Sequence, residues 1–184
     1  MKRYFLLALC LGLGLVSCRA KMPTVSPSAP PATLQLTSPA FAEGANIPAA
    51  YTCDGKNISP PLAWSGVPQG ARALALIVED PDAPLGTYTH WVWYDLPPSL
   101  TALPEGVPLE ERPAVGGAQG KNDARQLGYT GPCPPSGSHR YLFILYALDR
   151  PTGLAPGATK KELLQALEGH ILAQGQLMGR YQRR

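Results

Sequence analysis

The sequence has no concentration of charge of either sign: 16 Lys and Arg stand against 13 Asp and Glu. Discounting Lys2 and Arg3 at the extreme N-terminus leaves 14 against 13. A chain this close to neutrality has no basic face for a phosphate backbone, which excludes a nucleic-acid partner. No apolar run is long enough for a comfortable membrane span, which takes about 20 residues. There is no internal repeat, and no Gly-x-Ser-x-Gly elbow to present a nucleophilic serine; Ser136 and Ser138 sit in a loop without a strand-to-helix turn. Histidine and cysteine are scarce, at three and four residues, so each one can be considered in turn.

The longest apolar stretch, residues 4–16, follows Lys2 and Arg3 and ends in Leu15-Val16-Ser17-Cys18. A basic start and a short apolar core describe a secretory signal peptide over residues 1–17. The closing tetrapeptide looks like a bacterial lipobox, with Cys18 as the acylated first residue of the mature chain. The alternative is an ordinary leader cut a few residues later, which leaves Cys18 as a loose thiol. Buried acyl chains contribute about 0.8 kcal/mol per methylene, so a doubly acylated terminus anchors stably. This makes the expected location extracytoplasmic and membrane-anchored. Residues 18–33, the cysteine and then RAKMPTVSPSAPPAT, form a Pro-rich tether without apolar periodicity. Residues 34–184 remain, enough for one domain with its own core.

Cys10 falls in the leader and Cys18 carries lipid, so Cys53 and Cys133 are left. In an oxidising compartment they most simply form one disulfide, the alternative being two free thiols.

Short apolar runs punctuated by proline and glycine predict a mainly β domain. Candidate strands cover 34–37, 73–79, 89–95 and 140–149, with a short one near 176–181. The runs 73–78 and 141–148 are apolar on both faces and belong in the middle of a sandwich. One helix is expected: Thr159 and Glu162 form a capping box, Leu163, Leu164 and Leu167 an apolar stripe, and Gly169 the stop.

His90 opens the run Trp91-Val92-Trp93-Tyr94, and His139 opens Arg140-Tyr141-Leu142-Phe143. Each stands where a polar loop becomes an apolar strand, a place that serves equally for a pocket rim and for a hydrogen-bonded sheet end. Alternation puts His139 and Tyr141 on one face and Arg140 on the other. His170, just past the helix, reads as a favourable charge at a C-terminus. Two loops precede these strands. Asp80-Pro81-Asp82-Ala83-Pro84 leads toward His90. Gly128 to Tyr141, with three glycines and three prolines, is stiff enough to bring backbone amides close to an anion.

These stretches, with Tyr51-Thr52-Cys53-Asp54-Gly55, Asn57-Ile58-Ser59-Pro60-Pro61 and Gly137-Ser138-His139-Arg140-Tyr141, resemble the phosphatidylethanolamine-binding protein family, in its bacterial branch of Raf-kinase-inhibitor-like proteins. The resemblance runs from Leu34 to Tyr181. It implies an antiparallel β-sandwich with a short C-terminal helix and a small anion-binding pocket for phosphate or phosphoethanolamine head groups. The matching positions are Asp80, Asp82, Pro84, His90, Gly131, His139 and Tyr141. It also implies a cis peptide before Pro84. A carboxylate beside a histidine is expected to raise the histidine's pKa and favour anion binding in mild acid. The stretch Ala124-Arg125-Gln126-Leu127 departs from the family pattern, with Arg125 a candidate to lean over the entrance. The kinase regulation of animal relatives does not carry over to a tethered bacterial lipoprotein.

The leading expectation is a binding module for a small anionic or phospholipid-like ligand, with no cofactor and no metal. The runner-up is an inhibitor of an extracytoplasmic protease or other protein, its partner unnamed. Acid–base hydrolysis by Asp80, His90 and His139, and zinc binding by the histidines and aspartates, complete the set of readings.

Overall fold

The computed structural model describes residues 32–183. The expected leader, lipobox with Cys18 and tether as far as Pro31 lie outside the described residues, whereas the last two residues assigned to the tether, Ala32 and Thr33, form a strand paired with the C-terminal strand. In chain order the elements are β1 (Ala32–Thr33), β2 (Gln35–Thr37), β3 (Leu62–Ser65), β4 (Ala73–Asp80), β5 (Tyr88–Leu96), β6 (Ala102–Leu103), β7 (Ala118–Gln119), β8 (Ser138–Leu148), α1 (Lys160–Leu167) and β9 (Ile171–Gln182). A six-stranded sheet runs β1-β9-β8-β4-β5-β7, and a three-stranded sheet runs β2-β3-β6. All pairings are antiparallel except β1 with β9. This is a mainly β sandwich, as the composition suggests.

The strands apolar on both faces are central because each has a layer to fill on either side. From β4, Leu74, Leu76 and Val78 pack between the sheets, with Phe143 and Leu145 of β8 and Trp91 and Trp93 of β5. The alternate residues Ala73, Ala75 and Ile77, with Val92, Tyr94, Ile144 and Tyr146, face the other way and are covered by Leu163 and Leu167 of α1. The large sheet is therefore a middle layer between the small sheet and the helix.

Helix α1 has the expected cap: Thr159 accepts from the Glu162 amide, and Glu162 accepts from the Thr159 amide. Gly169 takes the left-handed conformation beyond its end, at φ 75°. Leu164 is not part of the buried stripe. It is 38% exposed, because one residue turns the helix about 100° away from Leu163.

Strand β9 is longer than the sequence suggests, at 12 residues. Gly175 and Gly179 interrupt its apolar pattern because the other layer passes too close for a side chain. A Cβ on Gly175 would lie 2.5 Å from the Leu34 carbonyl oxygen, and one on Gly179 2.5 Å from Ile47. At the end of the described residues, Gln182 pairs with Ser138 in the sheet, and Arg183 contacts Asp54 at 3.1 Å.

Candidate functional site

Strand β4 is antiparallel to both of its neighbours, so its C-terminal end meets the N-terminal ends of β5 and β8. That brings Asp80, His90 and His139 to one rim of the sheet. His139 lies on the inter-sheet face by simple alternation with Tyr141 and Phe143. For His90 alternation is not enough, because its neighbour Trp91 already faces that layer. The register supplies the answer: Val78 pairs with Trp91, but Glu79 pairs with Thr89. His90 is the extra residue of a β-bulge, and the bulge lets His90 and Trp91 face the same side. The His90 ring packs 4.9 Å from Tyr88 and 5.3 Å, edge-on, from Tyr141.

A cavity of about 280 Å³ opens here. Asp80, Ala83, Pro84, Tyr88, His90 and His139 line one part of it, and Thr130, Gly131, Cys133, Pro134 and Pro135 the other. His139 Nδ1 lies 2.7 Å from Asp80 Oδ2. The other carboxylate oxygen, Oδ1, accepts from the Asp82 amide at 2.8 Å. His90 Nδ1 lies 2.7 Å from the Thr130 carbonyl oxygen. A carbonyl only accepts, so Nδ1 carries the proton and donates. Burial pushes the His90 pKa below its ordinary value, outweighing the Thr130 carbonyl and the charges of Asp80 and Asp123, which push it up. The expectation of a raised pKa fails for this histidine because desolvation outweighs the nearby carboxylates.

The second wall is built by cross-links between two loops. Cys53 and Cys133 form a disulfide with Cα atoms 5.4 Å apart. The Cys53 amide donates to the Pro132 carbonyl oxygen at 3.1 Å, and Tyr129 Oη donates to the Tyr51 carbonyl oxygen at 2.8 Å. The Gly131 amide donates to Asn57 Oδ1 at 2.7 Å. Gly131 is required for this approach: a Cβ there would lie 2.5 Å from the Tyr51 carbonyl oxygen and 2.6 Å from Asn57 Oδ1.

A family model for phosphatidylethanolamine-binding protein matches residues 37–182. The chain belongs to the phosphatidylethanolamine-binding protein family. Among its relatives is a UPF0098 protein of Methanothermobacter thermautotrophicus, 54% identical over 150 residues that cover 82% of this chain and 99% of the relative. Another, from Aquifex aeolicus, is 47% identical over 160 residues, covering 85% of this chain and 92% of that one. Solved structures agree. A homolog from Chlamydia trachomatis aligns with a TM-score of 0.76 at 45% identity, covering 83% of this chain and 99% of that one. E. coli YbcL, described as a member of the mammalian family, gives 0.76 at 30% identity, covering 83% and 100%.

Within this family frame, the structure gathers Asp80, Pro84, His90, Gly131 and His139 around the cavity. Asp82 turns away from it. Its carboxylate accepts from Arg140 Nη2 at 2.6 Å and from Arg140 Nε at 2.9 Å, and the guanidinium holds it well below the usual carboxylate range. Arg140 lies on the outer face, so Asp82 fixes the loop from outside and is not among the residues that line the cavity. Tyr141 stands behind His90, not in the lining. Its hydroxyl is buried without a hydrogen-bond partner among the described residues, and its pKa is pushed up by burial, then by the charge of Asp80.

The Ala83–Pro84 bond is trans, as is every peptide bond among the described residues. Trans is the lower-energy form of a proline peptide by about 0.5–1 kcal/mol, and the loop closes without a cis bond through a Gly86 amide to Ala83 carbonyl hydrogen bond of 3.1 Å. The Gly131 amide is taken by Asn57 and is not offered to an anion. Arg125 is in a turn at φ 62° and does not line the cavity. His170 is held by Asp149 at 2.9 Å, a local pair beyond the helix end. The sequence reading missed Tyr88, Thr130 and the Pro134-Pro135 pair. Tyr88 could have been found, since it lies two residues before His90 at the start of the same strand.

Proposed function

We propose that this family member is an extracytoplasmic, lipid-anchored binding protein, and not an enzyme, whose pocket receives a phosphate or phosphoethanolamine-type head group. The observation that carries the reading is the cavity between the Asp80–His139 pair and His90. At about 280 Å³ it sits at the small end of ligand sites, suited to a head group and not to an acyl chain. His139, oriented through Nδ1 by Asp80, has its other ring nitrogen to turn toward a phosphate oxygen. The carboxylate of Asp80 is on hand for a ligand ammonium. Chemistry by covalent catalysis finds little support in the lining: it includes no serine, and Cys133 is closed in a disulfide.

The test is a thermal-shift titration of the full chain in a neutral detergent. Phosphate or phosphoethanolamine at about 100 times its dissociation constant stabilises by about 2.7 kcal/mol. The shift is expected to vanish in His139→Ala, and absence of any shift with either compound ends the head-group reading. For the location, Cys18→Ala is expected to move the protein from the membrane pellet to the soluble extracytoplasmic fraction. A variant that still sediments with membranes counts against acylation at that residue.

A further inference from the structure

His90 is fixed from two directions by one residue. Its carbonyl oxygen accepts from the Thr130 amide at 2.9 Å, and its Nδ1 donates to the Thr130 carbonyl oxygen at 2.7 Å. The ring is packed between Tyr88 and Tyr141 and is only 5% exposed. With the proton committed at Nδ1, a neutral imidazole presents Nε2 as a bare acceptor. The groups that face it are Asp80 of β4, Tyr88 of its own strand, His139 and Tyr141 of β8, and Asp123 and Thr130 of the loops. Burial favours the uncharged ring. Tyr88 and Tyr141, both pushed above the ordinary tyrosine value by burial, stay uncharged. The adjacent wall loses backbone donors: Asn57 occupies the Gly131 amide, and Pro134 and Pro135 have none, while the hydroxyls of Tyr88 and Thr130 can either donate or accept. A fully ionised tetrahedral anion would set acceptor against acceptor at His90. An anion with an O–H has a donor to offer Nε2.

Resting on the head-group reading above, we propose that the pocket takes its phosphate together with one proton, and so selects a phosphate monoester or inorganic phosphate over a sulfate or a phosphodiester. The proton bridges a ligand oxygen and His90 Nε2. Whether it is counted as a monoanion on neutral imidazole or a dianion on imidazolium, the complex holds the same atoms and charge. A monoester loses its second proton near pH 6. Above that value the complex must draw one proton from solution, and affinity falls as pH rises, about tenfold per unit. A sulfate or diester is too weakly basic to share that proton, so Nε2 is either left unpaired or must carry the proton alone on a buried ring, which corresponds to binding about ten- to a hundredfold weaker.

The experiment is isothermal titration calorimetry of the full chain with inorganic phosphate, phosphoethanolamine, glycerophosphoethanolamine and sulfate. It is run at pH 6.5 and 8 in two buffers of different ionisation enthalpy. Expected are phosphate and phosphoethanolamine at least about tenfold tighter than sulfate and the diester at pH 6.5, with uptake of about one proton at pH 8. His90→Gln, whose amide can turn a donor inward, brings sulfate within about threefold of phosphate. The proton count on the unmodified protein needs no variant and stands if that one misfolds. Competition by phosphatidic acid vesicles, against free phosphoethanolamine, tells a lipid monoester from a soluble one, and either source satisfies the proposal. Equal binding of phosphate, sulfate and diester without proton uptake overturns it, as does equal competition by phosphatidylethanolamine vesicles. If inorganic phosphate and phosphoethanolamine both fail to bind, the head-group reading itself falls.

Discussion

Replacing both Cys53 and Cys133 with serine is expected to lower the melting midpoint by about 10 °C while leaving head-group affinity within about threefold. The cysteines are 80 residues apart, and closing a loop of that length contributes about 4 kcal/mol in the chain-entropy account. For a domain of this size each kcal/mol moves the midpoint by about 2–4 °C. The reason stability and affinity should part company is that the folded loops do not depend on the bond alone. The Cys53 amide, the Gly131 amide and the Tyr129 hydroxyl each bridge the same two segments. The disulfide therefore acts mainly on the unfolded chain, and the pocket wall is held by hydrogen bonds in its absence. Differential scanning calorimetry of the double variant, with the wild-type protein under reductant alongside, measures the first effect. An unchanged midpoint would mean that the crosslink constrains nothing. A collapse of affinity with a small change in midpoint would mean that Cys133 shapes the pocket directly.

How much of this was legible beforehand depended on whether a feature is local. The capping box at Thr159 and Glu162 and the strand-mouth position of His139 follow from neighbouring residues, and both stand in the structure. The doubly apolar runs announced β4 and β8 as central because a residue apolar on each face must meet a layer on each side. What could not be read depends on another segment. The bulge at His90 exists only as a register shift against Glu79, and by plain alternation from Trp91 that histidine would be assigned to the helix side. The length of β9 was hidden by Gly175 and Gly179, which weaken a strand by propensity but are needed where Leu34 and Ile47 press against it. Asp82 was read as a ligand residue from its motif, and only the fold shows Arg140 occupying it. The donor count of the pocket was misread for the same reason: a glycine-rich loop offers amides, but Asn57, 74 residues away, takes the one at Gly131.

Asp80→Ala is expected to cost about 3 kcal/mol of stability and to remove phosphate binding. The carboxylate is buried, with its side chain 5% exposed against 10% for His139. It accepts from His139 Nδ1 and from the Asp82 amide. Alanine strands both donors. Leaving a buried partner unpaired costs more than the pair contributes when intact, about 3–5 kcal/mol for a fully buried ion pair and less where the cavity admits water. The same change frees the His139 ring to rotate, so its Nε2 no longer has a fixed direction into the cavity. It also releases the turn that the Asp82 amide closes, on which Ala83 and Pro84 are carried. A double-mutant cycle with His139→Ala separates these effects. Urea unfolding should show the pair of substitutions costing about 1–3 kcal/mol less than the sum of the single ones, because the double variant leaves no unpaired imidazole donor. Simple additivity would mean that Asp80 acts through the loop alone, and that His139 is oriented by something other than this carboxylate.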